Sequence, residues 1–287
     1  MTPRKNRMTI LITGCSSGIG LAAALAFARQ GFQVIATMRN LDKSNTLKTC
    51  MHEENLDIDI RQLDVTDEAS IQLLIHKILE KYKKIDILLN NAGAGFLGTL
   101  EQTSLSQAQE IMDVNFFGTW RLTQAVLPGM RINRSGHIIS VTSVGGIFGQ
   151  PFNDAYCAAK FAVEGMMESL APVVKQFGIQ VSLVEPGPVN SEFVSTVRSK
   201  NQNLAIDDYA EMLQSYSQST MDVFAQFAQT PEEIAKIILE IATDKSADFR
   251  YQTSEISKRI AKMKFADSTG NQVIALTESR LARRPAA

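Results

Sequence analysis

Tyr156 and Lys160, in the run Tyr156-Cys157-Ala158-Ala159-Lys160, are four residues apart. On a helix that spacing puts both side chains on one face, with Cβ atoms about 6 Å apart. A phenol titrates near about 10 and is a weak acid at neutral pH, but an ammonium one turn away favours the phenolate and lowers that value. The pair therefore reads as a proton donor and its tuner. The same spacing also describes a half-buried tyrosine beside a solvated lysine, so the reading needs support from elsewhere in the chain. Two features supply it: Ser143, a hydroxyl thirteen residues upstream, and a glycine-rich turn near the N-terminus.

The turn is Gly14-Cys15-Ser16-Ser17-Gly18-Ile19-Gly20. It follows the apolar, β-branched run 8–13 and precedes a helical run from Leu21 to Gln30, which Gly31 stops. Strand, glycine turn and helix N-terminus make an anion site, because bare backbone lets a phosphate approach and free N–H groups point at it. The Gly-x-x-x-Gly-x-Gly spacing is looser than the Gly-x-Gly-x-x-Gly dinucleotide fingerprint. Residues 33–37 read as the second strand. NAD-binding units carry an acid about twenty residues past the turn for the adenosine ribose. Here Ala36, Thr37, Met38, Arg39 and Asn40 offer no carboxylate and one guanidinium. A bidentate cation at that point suits a 2′-phosphate, so NADP(H) is the expected cofactor.

Strand and helix patterns then alternate. Residues 56–63 read as a strand ending in Asp64-Val65, and 66–82 as a helix with Ile71, Leu74, Ile75, Ile78 and Leu79 at helical spacing. Residues 85–89 form a strand ending in Asn90-Asn91-Ala92-Gly93. A helix over 105–127 carries Asn115. Strands at 136–141 and 180–184 flank the Tyr156 helix, which runs to Phe177 and should kink at Pro172. A last strand lies near 249–252. This alternation predicts an α/β fold: one Rossmann-type, doubly wound parallel sheet of about seven strands with helices on both faces, residues 1–287 forming a single domain. Ligands of such sheets lie across the carboxyl ends of the strands. The glycine turn, Asp64, Val65, Asn91, Ala92, Gly93, Ser143 and Pro186-Gly187-Pro188-Val189 all fall on that edge.

After Val189 the alternation breaks. In 192–229, Ile206, Tyr209, Leu213, Tyr216, Phe224 and Phe227 stand at helical spacing, as a helical insertion packed on the core or as a substrate lid. A lid would face the 145–152 loop across an apolar cleft lined by Phe148, Phe152, Phe193, Tyr209, Met212, Phe224 and Phe227. Thr230-Pro231-Glu232-Glu233 then starts a helix to Ala242, with an N-cap, a first-turn proline and acids at the positive end of the dipole.

Composition narrows the function classes. The chain has 287 residues, 45% hydrophobic and 21% charged, which suits an ordinary globular enzyme. A net charge of −1 argues against a nucleic-acid partner. No apolar run is long enough for a membrane span and the N-terminus lacks a secretory h-region, so a cytoplasmic placement is expected. Cys15, Cys50 and Cys157 fit neither a disulfide framework nor a metal site. Cys15 sits at an expected helix N-terminus, where a thiol pKa falls, and is a candidate redox-sensitive residue.

In order and spacing, Thr13-Gly14-Cys15-Ser16-Ser17-Gly18-Ile19-Gly20, Asn90-Asn91-Ala92-Gly93, Ser143 and Tyr156-x-x-x-Lys160 resemble the short-chain dehydrogenase/reductase family. The resemblance implies a catalytic tetrad: Tyr156 as acid/base, Ser143 holding the reacting oxygen, Lys160 on the nicotinamide ribose, and Asn115 linking Lys160 to solvent through water. Ser191 stands where many relatives have a threonine on the nicotinamide carboxamide. Ala36-Thr37-Met38-Arg39, Ser143-Val144-Gly145-Gly146 and Arg250-Tyr251-Gln252-Thr253 are similar to the branch holding estrogenic 17-beta-hydroxysteroid dehydrogenase and photoreceptor retinol dehydrogenase. That branch implies NADP(H) and a bulky apolar alcohol or carbonyl substrate, with contacts expected from Ser143, Gly145, Phe148 and Phe193. A homo-oligomer, dimer or tetramer, is the expected assembly. Two other functions compete. The long, aromatic insertion argues against an acyl-thioester (3-oxoacyl) reductase, and a non-catalytic NADP-sensing protein has no need of the Tyr/Lys/Ser set.

Overall fold

The strand sequences carry apolar side chains at consecutive positions, which a strand buries on both faces only inside a parallel sheet covered on both sides. The computed structural model describes residues 7–191, 206–269 and 271–279. In it, β1 (Thr9–Ile12), β2 (Gln33–Met38), β3 (Ile58–Gln62), β4 (Ile87–Asn90), β5 (Gly136–Val141), β6 (Ile179–Glu185) and β7 (Arg250–Gln252) form one seven-stranded sheet. The order is β3-β2-β1-β4-β5-β6-β7 and every pairing is parallel. Strand order therefore reverses between β1 and β4, the crevice where sheets of this kind take a ligand.

Alternate strand residues feed two cores. Ile10, Ile12 and Leu89 pack with Ala23 and Phe27 of α1 (Gly18–Arg29) and with Ile234, Ile238 and Ile241 of α8 (Pro231–Thr243). Leu11, Leu88 and Ile138 face the other way, onto α3 (Glu68–Tyr82), α5 (Gly118–Asn133) and α6 (Asp154–Lys175), through Ile75, Leu122, Val126, Val163 and Met167. The remaining helices are α2 (Asn45–Glu53), α4 (Leu105–Met112), α7 (Ala210–Phe227), α9 (Glu255–Ala266) and α10 (Asn271–Glu278). α8 starts as its sequence requires. Thr230 Oγ1 accepts from Glu233 N at 3.2 Å and Glu233 Oε2 accepts from Thr230 N at 2.7 Å, a reciprocal capping box.

One expectation changes. The single helix expected over 105–127 is α4, a π-helical turn at Asp113–Phe117, and α5, which runs on to Asn133. Pro128 removes one helix hydrogen bond, but Val126 and Met130, 3% and 1% exposed, anchor the turns on either side of it. α6 likewise continues past an exposed Pro172 to Lys175. In the expected insertion, a 3-10 turn at Asp207–Tyr209 leads into α7, whereas residues 192–205, including Phe193, lie outside the described residues.

β5 buries a titratable group. His137 is 4% exposed and its Nε2 lies 3.0 Å from Ser182 Oγ. The Ser182 hydroxyl donates to Asp248 O at 2.8 Å, so it accepts from His137, and the imidazole carries its proton on Nε2. Burial pushes His137 down from 6.5 to about 4. The unfolded chain therefore binds the extra proton between these values, and stability is lost as pH falls through that window. His137→Gln should remove this dependence. Urea unfolding of both proteins at pH 4.5 and pH 7 should show their stability difference changing by on the order of 2 kcal/mol. A difference independent of pH would mean that the folded protein tolerates a charged ring.

Candidate active site

The loops after β1 and β4 flank the switch point and are tied together. Thr13 Oγ1 accepts from Asn91 N and Ala92 N, both at 2.9 Å, and Asn91 Nδ2 donates to Thr13 O at 2.9 Å and Gly14 O at 3.2 Å. Gly14 and Gly18 take φ of 74° and 55°, a region open to glycine at little cost. A Cβ on Gly20 would overlap the Gly14 carbonyl oxygen and lie 2.5 Å from Asn91 Nδ2. α1 has no acid in its first turn, and Ser17 makes no side-chain cap. The opening N–H groups of a helix have no partner within it, so this end suits an anion. Ser16, Ser17, Gly18 and Ile19 line the cleft in front of it.

Arg39 stands exposed at the end of β2 and lines the same cleft, with Lys43, Thr46, Asp64 and Val65 around it. Asp64 accepts from Thr66 N at 3.0 Å and Thr66 Oγ1 at 2.7 Å. Burial alone would raise its carboxyl, but those two bonds and the Arg39 charge hold it below the usual range. Asp42 lies just beyond, in the 3-10 turn Leu41–Ser44, as a helix-starting residue. Lys43 and Thr46 were not anticipated. They come from the 3-10 turn after β2 and the first turn of α2, whose direction the sequence pattern does not encode.

Asn115 is 1% exposed and sits in the π turn between α4 and α5. Its Nδ2 donates to Ala94 O at 2.8 Å and its Oδ1 accepts from Ala94 N at 3.0 Å. Gly93 lies where these groups meet: a Cβ there would be 2.8 Å from Asn115 Oδ1 and 3.7 Å from Lys160 Nζ. Ser143 follows β5, and its hydroxyl accepts from Gly145 N at 3.0 Å. Two backbone bonds, Thr142 N to Val184 O at 2.8 Å and Val144 N to Pro186 O at 2.9 Å, extend the β5–β6 ladder and hold Ser143 on the sheet edge. Gly145 is packed under the Tyr156 ring, since a Cβ on it would be 3.1 Å from Tyr156 Cε1.

The electrostatics of Tyr156 correct the sequence expectation. Burial pushes the phenol up to about 12, with its hydrogen bond to Ser143 acting against the rise. Lys160 does not offset burial because its Nζ donates to Val141 O at 3.0 Å and lies 5.8 Å from the centroid of the Tyr156 ring. Burial brings Lys160 itself down to about 8, with the Glu164 charge opposing. Cys15 is corrected too. It is fully buried, its Sγ donates to Ile12 O at 3.4 Å, and burial pushes its thiol up to about 12, the opposite of a reactive thiolate.

Gly14, Ser16 to Ile19, Arg39, Asp64, Val65, Asn91 to Gly93, Ser143, Tyr156 and Lys160 border one cleft of about 1310 Å³, larger than the roughly 300–1,000 Å³ that suits one drug-sized ligand, whereas Gly20, Asn115 and Gly145 do not line it. Beyond Tyr156, Pro186, Gly187, Val189 and Ser191, it is closed by Phe96, Phe148, Phe224, Ile256 and Ile260. Phe148 and Phe224 therefore stand where expected. Phe152, Tyr209, Met212 and Phe227 do not line the cleft. Phe152 packs edge-on against Tyr216 at 5.6 Å, Tyr209 donates to Glu101 Oε2 at 2.8 Å, and Phe227 is 50% exposed. Helical spacing identified the helix but not the face it turns inward. The contributions of α9 and α10, through Ile256, Arg259, Ile260 and Leu276, were missed because nothing in their sequence marks a ligand wall. Among the described residues no cluster of His, Cys, Asp and Glu is placed to hold a metal, and no helix is long and apolar enough to cross a membrane.

Comparisons with known proteins agree with this geometry. A profile of the short chain dehydrogenase family matches residues 8–202. Retinol dehydrogenase 8 of Bos taurus is 39% identical over 96% of this chain and 91% of its own length. 17-beta-hydroxysteroid dehydrogenase type 1 of Homo sapiens is 37% identical over 93% of this chain and 84% of its own length. The crystal structure of a short-chain dehydrogenase from Streptomyces avermitilis is 27% identical and superimposes with a TM-score of 0.78, covering 98% of this chain and 100% of that one. With its glycine turn at the β1/β4 crevice, its serine after β5 and its tyrosine and lysine on α6, this chain belongs to the short-chain dehydrogenase family of oxidoreductases.

Proposed function

We propose that the protein is an NADP(H)-dependent oxidoreductase interconverting an alcohol with a ketone or aldehyde on a bulky apolar substrate. The observation that carries this reading is the position of Ser143, Tyr156 and Lys160 midway along one cleft, between an anion-binding glycine turn and a wall of aromatic and aliphatic side chains. NADP(H), when bound, supplies or accepts the hydride. Reduction builds negative charge on the substrate oxygen. The Tyr156 hydroxyl, protonated at neutral pH, gives that oxygen its proton while the Ser143 hydroxyl donates a second hydrogen bond. Lys160 holds the nicotinamide ribose, and Asn115 connects Lys160 to solvent through water. Gly14 to Gly20 take the pyrophosphate, Arg39 the 2′-phosphate, and Asp64 and Val65 the adenine. Asn91, Ala92 and Gly93 line the middle of the cofactor, with Pro186, Gly187, Val189 and Ser191 around the nicotinamide. Retinol and hydroxysteroid, the substrates named for two relatives, are both bulky and apolar, which fits the Phe148–Phe224 side of the cleft.

Residues 1–287 act as one catalytic domain in this reading, with 192–229 as its substrate lid. α7 supports a lid, since Tyr216 is the one fully buried side chain among its described residues. A helix with so little burial opens at low cost. Free cysteines fit a cytoplasmic enzyme. Exposed Phe117, Trp120 and Phe161, 44%, 46% and 39% accessible, fit a homo-oligomer. The test is NADPH depletion across steroid ketones, retinal and 3-oxoacyl thioesters. Turnover of the first two classes is expected. Turnover confined to thioesters would replace the substrate class, and tight NADPH binding without turnover of any would make the protein a sensor.

Cofactor choice follows from Arg39. Arg39→Asp removes a charge-assisted contact of roughly 1.5–3 kcal/mol and repels the 2′-phosphate. The ratio of kcat/KM for NADPH over NADH should therefore fall by about 10–100-fold. An unchanged ratio would move recognition to Lys43 or Ser16.

A further inference from the structure

Tyr156, Lys160 and Glu164 follow one another at four-residue intervals along α6, so the three ionisable groups lie in one row. Glu164 belongs to no part of the tetrad, yet it is 4% exposed. Its Oε2 accepts from Arg250 Nη1 on β7, while its Oε1 makes no hydrogen bond among the described residues. Arg250 is shared. It donates to Glu185 Oε1 on β6 at 2.8 Å and to Glu168 Oε2 on α6 at 2.7 Å, and its guanidinium sits 5.1 Å and 5.7 Å from the rings of Phe249 and Phe265. Glu185 also accepts from Gln252 Nε2. One guanidinium thus faces three carboxylates, and Glu164 is the one left half-satisfied.

The charged and titratable groups facing Glu164 are Lys160 and Glu168 from α6, Glu185 from β6 and Arg250 from β7. On the β5 side stand the Thr142 hydroxyl, which donates to Val184 O at 3.2 Å, and Gly146, where a Cβ would be 3.2 Å from Glu164 Oε1 and 3.3 Å from Lys160 O. A carboxylate in so dry a place is costly unless cations hold it charged. Burial and then Glu185 push Glu164 up to about 7, with Arg250 opposing. The Lys160 ammonium, also buried, has Glu164 as the anion that favours its charged form.

We propose that Glu164 is a positioning residue for the catalytic lysine: its carboxylate, aimed by Arg250, keeps the Lys160 ammonium protonated and seated on Val141. This rests on the placing of Lys160 in the active site under the function proposed above. Coupling between two titrating groups is reciprocal, so each must shift the other by the same amount.

The experiment is NMR titration of the full chain carrying ¹³C at lysine Cε and glutamate Cδ, with the two signals assigned by Lys160→Met and Glu164→Gln. In Glu164→Gln the Lys160 midpoint should fall by about one pH unit. Glu164→Asp, which restores the charge, should recover most of that loss. In Lys160→Met the Glu164 midpoint should rise by a matching amount. A packing role alone would move none of these. The alkaline limb of the pH profile of kcat should move down with the Lys160 midpoint. An unchanged Lys160 midpoint in folded Glu164→Gln overturns the proposal. If that variant does not fold, an unchanged Glu164 midpoint in Lys160→Met does so. The titrations need neither cofactor nor turnover, so a protein that proved inactive would still show the coupling. In that case the functional reading would fail and this one would stand.

Discussion

Replacing Tyr156 with phenylalanine is expected to lower turnover by about 10²–10⁴-fold, the usual worth of a positioned general acid. NADPH affinity should stay nearly unchanged, because the ring and its packing over Gly145 and beside Lys160 survive while only the hydroxyl is lost. Direction matters here. The buried phenol, pushed up to about 12, is protonated across the neutral range and stands ready to reduce a carbonyl. Oxidation of an alcohol needs the phenolate, so the oxidative rate should climb as pH rises, whereas the reductive rate should hold until Lys160 loses its proton near 8. Fluorescence titration with NADPH, beside steady-state rates in both directions, measures all of this. Turnover within about tenfold of the unmodified protein would remove Tyr156 from the role of acid.

Gly20→Ala should be the most damaging single methyl that the chain can receive near the cofactor. The added carbon would overlap a backbone carbonyl and lie 2.5 Å from Asn91 Nδ2, a side-chain end held in place by its bonds to Thr13 O and Gly14 O. To relieve the overlap, α1 must slide or the Gly14 turn must open, and either motion pulls apart the knot between the β1 and β4 loops. The cost is about 3 kcal/mol, felt as a fall of several degrees in Tm and as a loss of roughly 100-fold in NADPH affinity if the turn gives way first. Gly129→Ala is the control. It lies inside α5 with nothing within 4 Å of the new carbon, and should add roughly 0.5–1 kcal/mol through helix propensity. Differential scanning calorimetry with and without NADPH separates the two variants. A Gly20→Ala protein as stable and as tight-binding as the control would mean that the turn is far softer than its packing suggests.

How well each part could be read from sequence depended on whether its cause was local. β1 and the glycine turn were plain, because a buried strand, positive-φ glycines and a helix start are written in neighbouring residues. Ser143 and Lys160 were placed by spacing, and the parallel ladder turned that spacing into proximity. The π turn at Asn115 left no periodicity to notice, so a continuous helix was expected where α4 and α5 join. The tuning of Tyr156 was misjudged because it depends on how dry the ring is and on where the lysine points, neither of which a four-residue interval reveals. Arg250 could be noticed as part of a short run. Its partners Glu164 and Glu185, 86 and 65 residues away in sequence, appear only once β6, β7 and α6 are packed together. In α7 the amphipathic period was real and Phe224 faces the cleft as expected, but Tyr216 joins it there where Met212 and Phe227 were expected.

Val189 and Gln229 pair as a parallel bridge, with Asn190 N bonded to Gln229 O at 2.9 Å and Gln229 N to Pro188 O at 3.0 Å. Gln229 is pinned in turn to Thr253, through Nε2 to Thr253 O at 3.0 Å and from Thr253 Oγ1 at 2.6 Å. The chain thus closes on itself between Val189 and Gln229, making a loop that carries α7. Lengthening such a loop is cheap, since doubling it costs only about 0.6 kcal/mol in closure entropy. Under the proposed function, a graft of the corresponding interval from a relative, with residues 186–190 and 229–253 kept, should transplant substrate preference while the sheet and the glycine turn continue to fold around it.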